Sequence, residues 1–381
     1  FMVDIPISLC VMTKNAADSL ERCLKSASRY PFEIVVLDTG SDDQSAEIAH
    51  RYTKNVHVHN WEDDFALMRN ILAGYARTDY VLMLDDDEEI EKLDWKALQE
   101  MLHREETLLG SIHIRNLFHD GEEERYENAY VPRLYKRSSF HFTGSIHEQL
   151  CPLRGNAGQT SKAGMARPAL LPMDCIHYGY DLSPEEKQKK TDRNIALLKI
   201  ELEKWQKAHE NVERASLEDQ DACAYILYQL GKSESMAGRS HEAAEYFGEA
   251  LYFDLNPEKV YVCDLISSYA NALMRDDRAE EAWGLSDGDI KSAFGHSSDY
   301  CFAMGLAGMQ TGHLEEAKEF FYQAMEADTV QVEGTNSYLA WYNLGVMEEV
   351  AYKNPDQAKV DYKKAFPYIK AVNRLRQIEA E

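Results

Sequence analysis

The residues best suited to chemistry are Asp85-Asp86-Asp87-Glu88-Glu89, five carboxylates that follow the apolar run Tyr80-Val81-Leu82-Met83-Leu84 directly. Carboxylates this close repel one another, so a folded chain gives them a cation or a solvated turn to face. Their oxygens suit Mg²⁺ or Mn²⁺, ions that keep water or substrate phosphates in their remaining positions. A second acid-bearing loop, Asp38-Thr39-Gly40-Ser41-Asp42-Asp43, follows Ile34-Val35-Val36-Leu37 in the same way. Continuous apolar runs read as buried parallel strands, and α/β folds bind ligands beyond the carboxyl ends of such strands.

The elements that must carry these loops alternate. Residues 5–12 form a strand leading into Thr13-Lys14-Asn15, and Leu20, Cys23, Leu24 and Ala27 then share one helical face. Ile48, Ala49 and Tyr52 continue as a helix with Asp42 or Asp43 as its N-cap. Residues 56–59 are a short strand. Asp63 or Asp64 caps the next helix, whose inner face of Phe65, Met68, Ile71, Leu72 and Tyr75 turns Arg69 toward the acid loop, where it can offset phosphate charge. Strands alternating with helices predict a parallel sheet with right-handed crossovers. A helix near residues 95–103 then precedes segments at 111–118, 129–135 and 140–146, read as antiparallel strands, with Gly121 in a hairpin turn. Residues 155–164 read as a mobile loop over the site, and residues 169–180 as a last strand carrying His177, Tyr178 and Tyr180.

Ser183-Pro184-Glu185-Glu186 starts a helix with proline at its first position. Beyond it the chain repeats itself. Leu230, Gly231, Gly238, Ala243, Phe247 and Ala250 stand at the spacing of the tetratricopeptide signature, and Gly305, Gly312, Ala317, Phe321 and Ala324 repeat it 74 residues later. Tyr269-Ala270 and Ala282 form a weak copy between them. Trp341, Leu344, Gly345, Ala358, Tyr362 and Ala365 form another, with one extra residue before Ala358. Small residues let the helices of each pair approach while aromatics fill the gaps between pairs. The expected organisation is residues 2–182, an α/β domain; 183–221, a helical connector; and 222–381, an all-α repeat domain.

At 381 residues the chain has room for two such cores. Its net charge of −25 argues against a nucleic-acid backbone or anionic membrane as main partner. A phosphorylated ligand therefore needs a metal or a local arginine. No run approaches the roughly 18 apolar residues of a membrane span. Residue Phe1, ahead of Met2, is set aside as an addition to the natural chain, and the segment after it lacks a signal-peptide layout. Seven scattered cysteines without a CxxC pair suit a reducing cytoplasm and argue against a cysteine zinc site.

Four segments in order, residues 7–15, 34–43, Asn60-Trp61…Phe65…Arg69-Asn70, and Leu84-Asp85-Asp86-Asp87-Glu88, resemble family 2 glycosyltransferases of the GT-A fold. The branch in view holds lipopolysaccharide-core glucosyltransferases and peptide S-glycosyltransferases of the sublancin type, which also carry helical repeats. The resemblance covers about residues 5–180. It implies a nucleotide sugar, usually a UDP-sugar, with Mn²⁺ or Mg²⁺ bridging the diphosphate. Asp85-Asp86-Asp87 matches the family's DxD element, with Asp85 facing the ribose and the metal's water shell and Asp87 the metal; Asp86 is expected to point away. Thr13, Asp38 and Asp43 match positions around the nucleotide, the two acids having helix capping as their competing role. Arg69 and Asn70 lie on the helix before the metal strand, a surface arginine being the competing role for Arg69. His177 matches a late histidine that completes metal coordination, against the alternative of a hydrogen-bonded core residue. Glu148, in Ile146-His147-Glu148, matches a His-Glu pair. An inverting transfer needs a base for the acceptor's proton, and Glu148 is the candidate; the competing role is an ion pair with Arg133 or Arg137. Tyr178 and Tyr180 are candidates to stack on base or sugar, with filling the domain interface as their competing role.

The expected function is therefore a metal-dependent inverting hexosyltransferase acting on a peptide or protein acceptor, at a Cys thiol or a Ser/Thr hydroxyl, held by the repeat domain, with a homodimer as one arrangement. The alternatives are a cell-surface glycan or lipid-linked sugar as acceptor, or an inactive interaction scaffold.

Overall fold

The computed structural model describes residues 3–104, 109–120, 123–153, 168–178, 184–209 and 215–380. It resolves into two compact units, Phe1–Asp120 with Tyr126–Leu182, and Ser183–Glu381 with Gly121–Arg125.

The first unit is built on an eight-stranded sheet in the order β3-β2-β1-β4-β7-β6-β10-β5. Its parallel half comprises β1 (Ile7–Thr13), β2 (Glu33–Asp38), β3 (Val56–Val58) and β4 (Tyr80–Asp85). Strands β1 and β4 are nearly all buried because both faces are covered. Helices α1 (Ala17–Ala27), α2 (Ser45–Tyr52) and α4 (Trp95–Arg104) pack Leu20, Leu24, Ile48 and Leu98 against Leu9, Val11, Val36 and Leu82. Helix α3 (Phe65–Gly74) covers the other face with Met68 and Leu72 against Cys10, Val35 and Val81. Such burial contributes roughly 1.5–3 kcal/mol per large side chain.

The remaining strands depart from the expectation in three ways. Strand β5 (Glu88–Leu93) continues straight out of the acid cluster, so Glu88 and Glu89 belong to a strand. Its alternation, with Glu88 and Ile90 buried, breaks at a register shift before the buried Leu93 and is masked by four charged residues in six positions. Strand β10 (Ala169–His177) runs parallel to β6 (Gly110–Asp120) and antiparallel to β5, while β7 (Glu123–Lys136) runs antiparallel to β4. Strand β8 (Phe140–Thr143) leaves the main sheet to pair with β9 (Gln149–Pro152) in a separate two-stranded ribbon. Its Phe140 and Phe142 are buried against the α3 face, and tertiary burial of that aromatic pair outweighs continuation of the main sheet. Residues 155–164, Gly121 and Tyr180 lie outside the described residues.

The second unit is helical, with α5 (Pro184–Ala208) starting at its proline. Three helix pairs repeat one contact. In α6/α7 (Leu217–Met236, Ser240–Ala250) a Cβ on Gly231 would stand 2.4 Å from Phe247. In α11/α12 (Ser298–Thr311, Leu314–Glu326) Gly305 meets Phe321 at 2.6 Å, and in α13/α14 (Tyr338–Val346, Pro355–Lys364) Gly345 meets Tyr362 at 2.7 Å. Only glycine permits these approaches. The extra residue before Ala358 falls where a π-helical turn, Met347–Ala351, follows α13, and a π-turn takes up one additional residue. The weak copy is α8/α9 (Val260–Arg275, Ala279–Trp283), after which a 3₁₀ turn and α10 (Gly288–Phe294) interrupt the pattern. Helix α15 (Ile369–Ala380) closes the described chain.

Candidate active site

Parallel register brings Thr13 beside Asp38 and Met12 beside Asp85, so the carboxyl ends of β1, β2 and β4 meet in one row. Asp38 is buried and folds its own loop: Oδ1 accepts from Gly40 N at 2.9 Å and Ser41 N at 2.7 Å. Gly40, at φ 101°, supplies the left-handed residue this turn requires. Asp43 accepts from Ser45 N at 2.8 Å and Ala17 N at 3.2 Å, and the Ser45 hydroxyl lowers its pKa. It thus tethers the starts of α1 and α2, although the N-cap position of α2 itself is Gln44. Asp64, as expected, caps α3 by accepting from Leu67 N at 2.8 Å.

Helix α3 is where structure most exceeds its sequence signal. Arg69 is buried at 4% exposure; its Nη2 donates to Asp85 Oδ1 at 2.6 Å, and its Nε pairs with Glu148. Asn70 uses both ends of its amide on Phe142, donating to the carbonyl and accepting from the amide at 2.9 Å each. Phe65 N donates to Ser145 O at 2.8 Å. The ribbon bearing Glu148 is therefore fastened to α3 at three points, and Asn70 serves the fastening rather than projecting as a ligand donor. Gly144 and His147, both at positive φ, turn the chain between the ribbon's strands.

Arg133 completes the cluster. It is 7% exposed, and its Nη2 reaches Asp85 Oδ2 at 2.7 Å and Glu88 Oε1 at 2.9 Å. Glu88 returns its second oxygen to Asp85 N at 2.9 Å. Burial alone raises the Asp85 pKa, but Arg133 and Arg69 more than offset it and hold the carboxyl well below the usual range. The buried Glu88 carboxyl is raised, desolvation outweighing Arg133.

Each Asp85 oxygen thus accepts from an arginine, which sets Asp85 apart from the expected metal trio. The structure brings the other two members together: Asp87 Oδ1 lies 3.2 Å from His177 Nε2, and His177 Nδ1 pairs with Asn116 Oδ1 at 2.8 Å. Two donors bound cis at about 2.1 Å from one Mg²⁺ lie about 3.0 Å apart, so this pair fits a small divalent ion, and Asn116 fixes the ring as a second-shell partner does. Burial lowers the His177 pKa, but Asp87 and its neighbouring carboxylates raise it overall. Among the described residues no three His, Cys, Asp or Glu side chains converge as ligands, so further positions on an ion would fall to water or substrate.

Asp86 does not point away as strand alternation predicts, because Asp86 and Asp87 form a turn between β4 and β5. It lies near the Thr13 hydroxyl and the Lys14 backbone, though Thr13 Oγ1 makes no bond of good geometry. Burial and then Asp87 push its pKa up to about 7. Tyr178 stacks under the Arg22 guanidinium at 4.3 Å. Sequence reasoning assigns Glu88 no role within the acid cluster, offers Arg133 only as an alternative partner of Glu148, whose partner is Arg69, and leaves out Asn116. The available signal for Arg133 was a lone arginine inside Val131-Pro132-Arg133-Leu134-Tyr135; nothing local marks Asn116.

Residues 8–154 match the glycosyl transferase family 2 profile and residues 298–330 a tetratricopeptide repeat, so the first unit carries a family 2 glycosyltransferase domain and the second tetratricopeptide repeats. Among individual relatives, a TPR repeat-containing protein of Synechococcus elongatus is 33% identical over 137 residues, covering 32% of this chain and 34% of that protein. The SPbeta prophage-derived glycosyltransferase SunS of Bacillus subtilis is 23% identical over 290 residues, covering 72% of this chain and 60% of SunS. The chain thus spans between a third and three-fifths of these relatives' lengths. Among solved structures, S. aureus TarS 1-349 aligns at a TM-score of 0.38 and 16% identity, covering 81% of this chain and 92% of TarS 1-349.

Proposed function

We propose that this protein is a metal-dependent inverting glycosyltransferase that moves a hexose from a UDP-sugar to a Cys thiol or Ser/Thr hydroxyl of a peptide or protein, in the reducing cytoplasm. The observation that carries this reading is the meeting of Asp87–His177, Asp85 and Glu148 at the carboxyl ends of β1, β2 and β4 within a family 2 domain. Asp87 and His177 would hold Mn²⁺ or Mg²⁺, which when bound supplies Lewis-acid stabilisation to the departing diphosphate. Thr13 and the loop folded by Asp38 and Asp43 border the nucleotide. Glu148 takes the acceptor's proton as the acceptor attacks the anomeric carbon, and Arg69 orients it. All seven cysteines are free, in keeping with a reducing compartment, and no described helix is long and apolar enough to cross a membrane. The repeat unit is the proposed holder of the acceptor, since repeat solenoids present extended concave surfaces.

The test is UDP release from UDP-glucose and UDP-GlcNAc in Mn²⁺. Asp87→Ala is expected to lose at least about 100-fold, and Glu148→Gln to keep UDP binding while losing about 10²–10⁴-fold in turnover. Equal turnover by wild type and Asp87→Ala, or none by wild type with either donor, would sink the reading. Mass spectrometry of candidate peptides incubated with enzyme and donor reads the acceptor, a hexose on a Cys, Ser or Thr being the expected product.

A further inference from the structure

We propose that Arg133 is a positioning residue for the transfer step, acting through Asp85 and Arg69 to set the place of Glu148. The inference rests on the sugar-transfer reading for its consequence but on geometry for its substance. Five charged side chains alternate in sign along one path: Glu88, Arg133, Asp85, Arg69, Glu148. Arg133, Arg69 and Glu88 are each more than nine-tenths buried. Arg133 is the only residue on this path that draws β7 into the site, 48 positions from Asp85 and 45 from Glu88.

The chemistry explains why the path needs it. Asp85 sits between two guanidiniums, one on each oxygen. With Arg133 removed, Asp85 Oδ2 loses its partner and the carboxylate is free to rotate toward Arg69 as a two-point pair. Arg69 then turns with it, and its Nε leaves Glu148. A displacement of about 1 Å at a reacting group costs about 10²-fold in rate, whereas donor contacts made by other residues are untouched. Arg133 itself is 7% exposed and spends its Nη2 on Asp85 and Glu88, which separates it from a phosphate-binding arginine.

Arg133→Met alone takes a partner from both Asp85 and the buried Glu88, so the test uses Arg133→Lys, which retains a charge that meets one carboxylate but not both, and Arg133→Met/Glu88→Gln, which removes a charge of each sign. Hydrolysis of UDP-GlcNAc by the full chain in Mn²⁺ needs no identified acceptor. The expected result is a turnover loss of about 10-fold for the lysine variant and about 100-fold for the double variant. The KM for UDP-GlcNAc and the Kd for UDP by calorimetry should shift less than about threefold. Unchanged turnover per folded molecule would overturn the proposal by making Arg133 merely structural. A tenfold rise in Kd with turnover preserved would overturn it by making Arg133 a donor ligand. If wild type hydrolyses no UDP-sugar, the sugar-transfer reading fails by itself. The positioning claim is then decided by the crystal structure of the double variant: Glu148 parted from Arg69 supports it, and Asp85 and Glu148 in their wild-type places overturn it.

Discussion

The two units bury unlike things. At the end of the sheet the first unit links five charged side chains, three of them buried, through ion pairs 16 to 79 residues apart. In the repeats, three helix pairs bury a ring against a glycine 16 or 17 residues away. The ring contact is non-directional and adds stability in proportion to area. The charge path is directional, and ion pairs of this kind are poor sources of net stability because desolvation consumes the Coulombic gain. The first unit therefore keeps a fragile but exact arrangement where chemistry is proposed, and the second a tolerant one repeated along the chain.

The sharpest way to break this contrast is Arg69→Met. It leaves Asp85 and Glu148 without a shared partner, and removing one member of a buried pair costs about 3–5 kcal/mol. Thermal unfolding should show the early loss of the first unit's transition while the repeat transition stays in place. A variant as stable as wild type would mean that the path carries no structural constraint.

Asp299 tests whether the repeat unit also holds a charge-sensitive point. Desolvation raises its pKa from the ordinary 3.8 to about 6, against the opposing hydrogen bonds from Gln331 N and Val332 N. The sign follows from proton binding: between pH 4 and 6 the folded state retains a proton that the unfolded state has released. Stability is thus fullest below pH 4 and falls as pH rises to 6, by up to about 3 kcal/mol from this group. Comparing the melting temperature of wild type and Asp299→Asn at pH 4, 5, 6 and 7 isolates it; parallel profiles would remove Asp299 from the account.

The smallest effects separate two glycines of the same helical unit. Gly305→Val drives a branched side chain into Phe321 and should destabilise by about 1–3 kcal/mol. At Gly248 a Cβ meets Tyr269 only at ordinary contact distances of 3.4 Å and beyond. Gly248→Ala should therefore stabilise helix α7 by about 0.5–1 kcal/mol. Thermal melts that rank the two variants the other way would refute the close-approach account of the repeat.

What the sequence determined by itself is whatever short-range pattern encodes. The apolar runs before Asp38 and Asp85 placed two acid loops at strand ends, and parallel register puts those ends side by side. The Gly231/Phe247 and Gly305/Phe321 spacing encoded helix pairs that contact as the spacing requires, since both partners lie within one hairpin. Asp64 announced its cap from three residues away. Other features were decided only by the tertiary structure. Strand β5 hid behind its charges, because a polar strand gains its place from the neighbouring β10 rather than from its own periodicity. Asp86 faces Thr13 because a turn cancels the strand alternation its neighbours suggested. Asp85 was legible as a site acid and Arg69 as a residue turned toward it, but Arg133 as the second partner was not, nor was Asn116 behind His177. Each of these pairings joins residues remote in sequence, and a buried charge takes its partner from whatever the packed sheet brings within about 3 Å of it.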